Sequence, residues 1–225
     1  MANNQNIELV YQTGIVKILH KRWLSMTKAG IDECIKNLKN SYLNSEESNG
    51  IKLCSCDFKY YSFEFEEILN EIRKISIVGL YHTWERHLKM LLIHGSTPET
   101  KCTKIIDKFG IEKIIAIYKQ DENCNKGLHE TFDKLRKYST LNNTIKHGTG
   151  FSYTKLYKNY KEFFYDETYL ESLNDEEFCT NTANPPIVTE EHIQELYDIL
   201  IKFWNNNPKI LKVNLNFIED LAKKK

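Results

Sequence analysis

Glycine and proline are scarce in this chain. Its 225 residues include 9 Gly and 4 Pro, too few for the many turns of an all-β protein. An excess of either charge is also missing. The 31 Lys and Arg balance 31 Asp and Glu, which excludes a globally basic, histone-like nucleic-acid binder and leaves only a local patch for such a role. The most apolar run, Ile75 to Tyr81, is far shorter than the roughly 20 residues a helix needs to cross a bilayer. The segment Met1 to Asn6 is polar and lacks a signal peptide's apolar stretch, so the expectation is a cytoplasmic protein with no membrane partner. The six cysteines form no C-x-x-C pair, and Cys54 and Cys56 have no matching second pair. They read as reduced thiols, not a disulfide framework. Gly-rich phosphate loops, G-x-S-x-G elbows and H-E-x-x-H motifs are all absent. Neither a cofactor nor a metal is expected; His82 and Glu85 are two possible ligands, and two do not make a site.

What is present points to helices. Hydrophobic residues make up 41% of the chain, enough for a core in one domain, or one and a half. Apolar residues recur at steps of three and four over 12–43, broken near Gly30, and more strongly over 63–94. In the second stretch Ile75 to Tyr81 is apolar nearly all round, which predicts a central, buried helix. Gly95 serves as its C-terminal cap, and Thr97-Pro98-Glu99 starts another helix. Gly110 closes that one, and a short helix follows at 111–119. Further helices are predicted at 127–147, near 153–164 and from Thr189 to about Trp204, where Pro208 breaks the last. Residues 44–50 and 165–188 read as loops, and 51–61 as a short strand or an ordered connection. The expected fold is an all-α helical bundle with at most one minor strand or hairpin.

The helix over 127–147 carries the main chemical signal. At 100° per residue, Arg136, Thr140, Asn143 and His147 fall on one stripe beside the apolar face. The last sits at the helix C-terminus, where the dipole favours a cation. A guanidinium, an amide and an imidazole on one face suit a phosphodiester. Arg holds phosphate and stabilises developing charge, and His moves a proton near neutral pH. A solvated face ended by a histidine is the plainer reading of the same spacing.

Two further patterns bear on function. From Lys134 to Lys161 there is no Asp or Glu. That stretch holds Arg136, Lys137, Lys146, Lys155 and Lys158 among its cations, interleaved with Tyr138, Phe151, Tyr153, Tyr157 and Tyr160. Cations take phosphates and rings stack on bases, so the pattern suits RNA. Glu162 to Glu177 then carries seven acids and no Lys or Arg, which also allows the two segments to pair with each other. The second pattern is His82-Thr83-Trp84-Glu85-Arg86-His87, where His82, Glu85 and Lys89 share a face. It reads as a site or as a satisfied ion pair.

The segment Leu141-Asn142-Asn143-Thr144-Ile145-Lys146-His147-Gly148 resembles the C-terminal motif of HEPN-domain proteins. That all-α superfamily ends a long helix with R-N-x-x-x-H or a looser R-x(4–6)-H. Asn143 and His147 match the motif's Asn and His, Gly148 ends the helix, and the helix bearing Trp84-Glu85 is similar to an upstream helix of the family. The resemblance covers about 63–150. The family's Arg falls at position 142, where this chain has Asn142, and Arg136 is the nearest upstream Arg. The resemblance implies a HEPN-like bundle over 1–165, followed over 166–225 by an acidic loop and C-terminal helices packed on the bundle or on a partner. It further implies an RNA-targeting toxin or anti-phage defence effector, working as a homodimer or within a larger defence complex. The implied reaction is metal-independent endoribonuclease cleavage that leaves a 2′,3′-cyclic phosphate. His147 is then the acid or base, Arg136 the phosphate clamp and Asn143 the orienting group. Glu85, His82, Lys146 and Thr140 support them, and Lys137, Tyr153, Lys155 and Lys158 bind RNA. The alternative is a non-catalytic HEPN-like RNA-binding or regulatory subunit, which the missing Arg favours.

Overall fold

A computed structural model of the chain describes residues 8–12, 14–48, 55–94, 105–120, 126–164, 185–208 and 210–223. It is an all-α protein in which the helices run α1 (Gly14–Ser48), α2 (Ser55–His94), α3 (Ile111–Tyr118), α4 (Lys126–His147), α5 (Phe151–Asn159), α6 (Glu190–Asn206) and α7 (Leu215–Lys223). Two short strands, β1 (Glu8–Gln12) and β2 (Ile210–Asn214), pair antiparallel with Glu8 opposite Asn214 and Gln12 opposite Ile210.

Several boundaries differ from the sequence expectation, each for a local reason. Helix α1 runs straight through Gly30, where one glycine's propensity cost of about 1 kcal/mol is outweighed by the rest of a long helix. It also takes in most of 44–50. Of 51–61, read as a short strand or an ordered connection, the described residues from Ser55 onward are instead the first turns of α2. The strands lie at 8–12 and 210–214, where no local pattern marks their pairing. Within the apolar run of α2, Ile77, Leu80 and Tyr81 are buried but Ile75 is 68% exposed, so that run is one-sided. The expected helix start at Thr97, the cap at Gly95 and most of the acidic loop (165–184) lie outside the described residues.

Two of the predicted helix ends, at Gly148 and Thr189, are capped. Gly148 takes a left-handed φ of 67° and its N–H donates to the Thr144 carbonyl at 2.9 Å, closing α4. Helix α6 opens on a reciprocal cap. The His192 N–H donates to Thr189 Oγ1 at 3.4 Å, and the Thr189 N–H donates to His192 Nδ1 at 3.1 Å, an imidazole taking the place of the usual Glu.

The chain forms two compact units. The first comprises 1–24, 82–139 and 198–225. Its core is aromatic: Trp84 meets Phe203 edge-on at 5.3 Å, and Tyr118 and Phe132 meet each other at 5.4 Å. Leu211 and Val213 of β2 and Ile218 of α7 are buried in the same unit. The second unit comprises 25–81 and 140–197. Glu190 at the start of α6 accepts from Arg73 Nη2 of α2 at 3.0 Å and from Lys39 Nζ of α1 at 2.5 Å. Lys39, the largest influence, and Arg73 together hold that carboxyl below its usual range. Of the described residues after 165, 185–197 belong to the second unit and 198–223 to the first.

Candidate functional site

Helix α4 crosses from one unit to the other, and its middle is buried nearly all round. Tyr138, Thr140, Leu141, Asn142 and Thr144 are all buried. The polar stripe predicted from spacing is therefore interrupted. Thr140, 6% exposed, lies in the core, where its carbonyl accepts the Thr144 hydroxyl at 2.9 Å. Asn143 is half-buried, and His147 and Lys146 are exposed in the last turn. Asn143 and His147 stand four residues apart on one face, the distance at which side chains meet along a helix.

Arg136 has different company. Its Nε and Nη2 donate to the two carboxylate oxygens of Glu112 at 2.8 and 2.9 Å, and its Nη1 donates to Asp133 at 2.6 Å. These carboxylates, the Glu112 hydrogen bond first, raise its pKa further. The guanidinium thus already holds a bidentate partner of the kind a phosphate would be. It belongs to the first unit, whereas Asn143 and His147 belong to the second. Eleven residues of continuous helix separate Arg136 from His147, about 16 Å of rise. Asn142, which stands where the HEPN pattern has Arg, is 2% exposed, and its amide oxygen meets no donor among the described residues.

His82 and Glu85 also belong to the first unit. Glu85 is 3.5 Å from His82 Nδ1 and 3.2 Å from Lys89 Nζ, and Lys89 donates to the Asp107 carbonyl at 3.0 Å. The cluster is a satisfied ion pair that ties α2 to the segment before α3. Of the expected RNA contacts, Lys155 and Lys158 are exposed on α5. Lys137 lies over the Tyr138 ring at 5.3 Å. The Tyr153 ring is braced edge-on by Phe164 at 5.5 Å. Among the described residues, no three metal-ligating side chains converge, and Cys34 is a free, exposed thiol.

The structure adds a feature that the sequence did not reveal. A pocket of about 240 Å³ opens in the second unit beside the last turn of α4. Thr144, Ile145, Gly148 and Thr149 line one side, Glu71 and Lys74 of α2 another, and Tyr153, Pro185 and Pro186 the remainder. The proline wall is fixed from two directions. Asn70 donates to the Pro186 carbonyl at 3.3 Å and accepts the Val188 N–H at 2.8 Å, and the Ile187 N–H donates to the Phe163 carbonyl at 2.7 Å. Lys74 is the one signal available in the sequence: it shares a stripe of α2 with Ile77 and Tyr81, a core-facing place for a cation. The chain was compared with protein families, with characterised proteins and with solved structures, and it matches none of them.

Proposed function

We propose that this protein is a HEPN-like RNA-targeting effector of the cytoplasm, a metal-independent endoribonuclease whose proton-transfer group is His147. The observation that carries this reading is the end of α4: an exposed imidazole one helical turn from Asn143, closed by a left-handed glycine, within a stretch free of acidic residues. In the reaction a ribose 2′-oxygen attacks the neighbouring phosphorus and the 5′-oxygen departs with a proton, leaving a 2′,3′-cyclic phosphate. His147 moves the proton and Asn143 orients the imidazole or the ribose hydroxyl. Arg136 is engaged by Glu112 and Asp133, so the exposed Lys146, Lys155 and Lys158 supply the phosphate contacts. A second copy of the chain, or a larger defence complex, is the partner that the family resemblance implies.

The test is cleavage of RNA by the purified protein in excess EDTA, beside His147→Ala and Arg136→Ala. Cleavage that yields cyclic phosphate ends, disappears with His147→Ala and survives Arg136→Ala supports the reading. A second reading, a non-catalytic RNA-binding or regulatory subunit of a defence complex, is favoured by the occupied Arg136 and the buried Asn142. RNA binding without cleavage, weakened by charge reversal at Lys155 and Lys158, would select it.

A further inference from the structure

The pocket beside α4 has the size and chemistry of a receptor for one flat ring. At about 240 Å³ it is smaller than the roughly 300–1,000 Å³ of sites for drug-sized ligands, so it admits a base but not a whole dinucleotide. Ile145, Pro185, Pro186 and the braced Tyr153 ring give it apolar walls. The Asn70 and Ile187 hydrogen bonds fix the proline wall before any ligand arrives, which lowers the ordering cost of binding.

Its charged groups are one cation and one carboxylate, beside the hydroxyl-bearing Thr144, Thr149 and Tyr153. Lys74 is 5% exposed overall and its ammonium lies 2.6 Å from Glu71 Oε1. The Glu71 side chain is 65% exposed at the rim and keeps a second oxygen as acceptor. The two stand side by side as donor and acceptor. All four bases can set an acceptor and a donor against this pair, but guanine makes the most of it: O6 accepts from the ammonium, while N1–H and N2–H both donate to the carboxylate. Adenine and cytosine each offer the carboxylate a single amino donor group. Uracil offers one N–H flanked by two oxygens, one of which faces the carboxylate.

We infer that this pocket binds an unstacked guanine, with Glu71 and Lys74 reading its Watson–Crick edge. Ile145 and Gly148 line the pocket and His147 lies between them in the chain, so on the RNA-cleaving reading the pocket selects a base near the bond cut. This specificity rests on the RNA-cleaving reading above, although the pocket's own preference can be measured without it.

The experiment titrates the full chain with guanosine, adenosine, cytidine and uridine 3′-monophosphates by calorimetry, for the wild type, Glu71→Gln and Lys74→Met. In parallel, cleavage sites are mapped on a randomised RNA. Glu71→Gln lies at an exposed rim position and leaves the fold intact, which its thermal melt verifies. The expected result is guanosine monophosphate bound at least about tenfold tighter than the others, with that preference lost in Glu71→Gln. Equal binding of all four, or a guanine preference unmoved by Glu71→Gln, overturns the inference. His147-dependent cleavage without any base preference overturns it while the nuclease reading stands. Guanine-selective binding through Glu71 with no RNA cleavage supports the pocket and removes the nuclease reading.

Discussion

The His20–His87 pair of the first unit and His147 of the second use the same side chain in opposite ways. In the first unit, the His20 and His87 rings meet tilted with centroids 4.2 Å apart, and His20 stacks on Trp204 at 4.7 Å. Trp23 meets His87 edge-on. Burial, and then the neighbouring His87, push His20 down to about 4. Burial, and then Arg86, lower His87 as well. These imidazoles stay neutral near physiological pH and serve as flat packing elements. In the second unit His147 ends a helix in solvent, beside a pocket with a fixed wall. The same residue type is core material in one unit and a candidate reagent in the other, and neighbours alone decide which.

The sharpest way to break this contrast is to empty the aromatic core. Trp84→Ala should cost about 3–5 kcal/mol of stability, since Trp84 is fully buried against Phe203; urea denaturation measures it. A loss under 1 kcal/mol would mean the first unit is not held by its rings. Next in size, His147→Ala should lower RNA cleavage by about 10²-fold or more. It should leave stability within about 0.5 kcal/mol, as for an exposed position. A large drop in melting temperature would place His147 with the packing histidines.

Acid separates the units further. His20 has a folded pKa near 4, below the roughly 6.5 of an unfolded histidine. Between those values the unfolded chain binds more protons. The stability His20 contributes is therefore present above pH 6.5 and lost as pH falls toward 4. Discounted for its partial exposure, that loss is about 2 kcal/mol, and His20→Leu should flatten the curve over this window. A wild-type stability independent of pH there would contradict the close, neutral pair. The smallest effect expected is that of Arg136→Ala, at most about 1 kcal/mol and reduced by salt, because the ion pairs are partly exposed. Cleavage should survive it within a few-fold. Its abolition would return Arg136 to the reaction.

Much of this fold was legible where the determinants are local. The end of α2 at His94, the periodicity of α4, the glycine stop at 148 and the threonine start at 189 are each placed within a few residues. What was illegible depends on distant neighbours. β1 pairs with a strand near the other end of the sequence. The aromatic and cysteine alternation at 55–61 resembles a strand, but it continues into the long helix α2. Spacing put Thr140 on an open stripe, yet the surrounding unit buries it. Glu112, which occupies Arg136, comes from a different helix. His147 could be singled out because a helix end is written in adjacent residues. The pocket beside it could not, since four separate segments build it.

The β1–β2 register carries a consequence for biosynthesis. Glu8 has no strand partner until Asn214 has been made, so the first unit is completed only once residues 210–214 exist. A nascent or truncated product must carry β1 with its hydrogen-bonding edge bare, which is the kind of surface that templates aggregation. Late closure of this kind also slows folding, since long-range pairing must overcome the entropy of a large loop. Proteolytic trimming of the last residues would therefore act on the first unit from its seam, without touching a single residue of the candidate site.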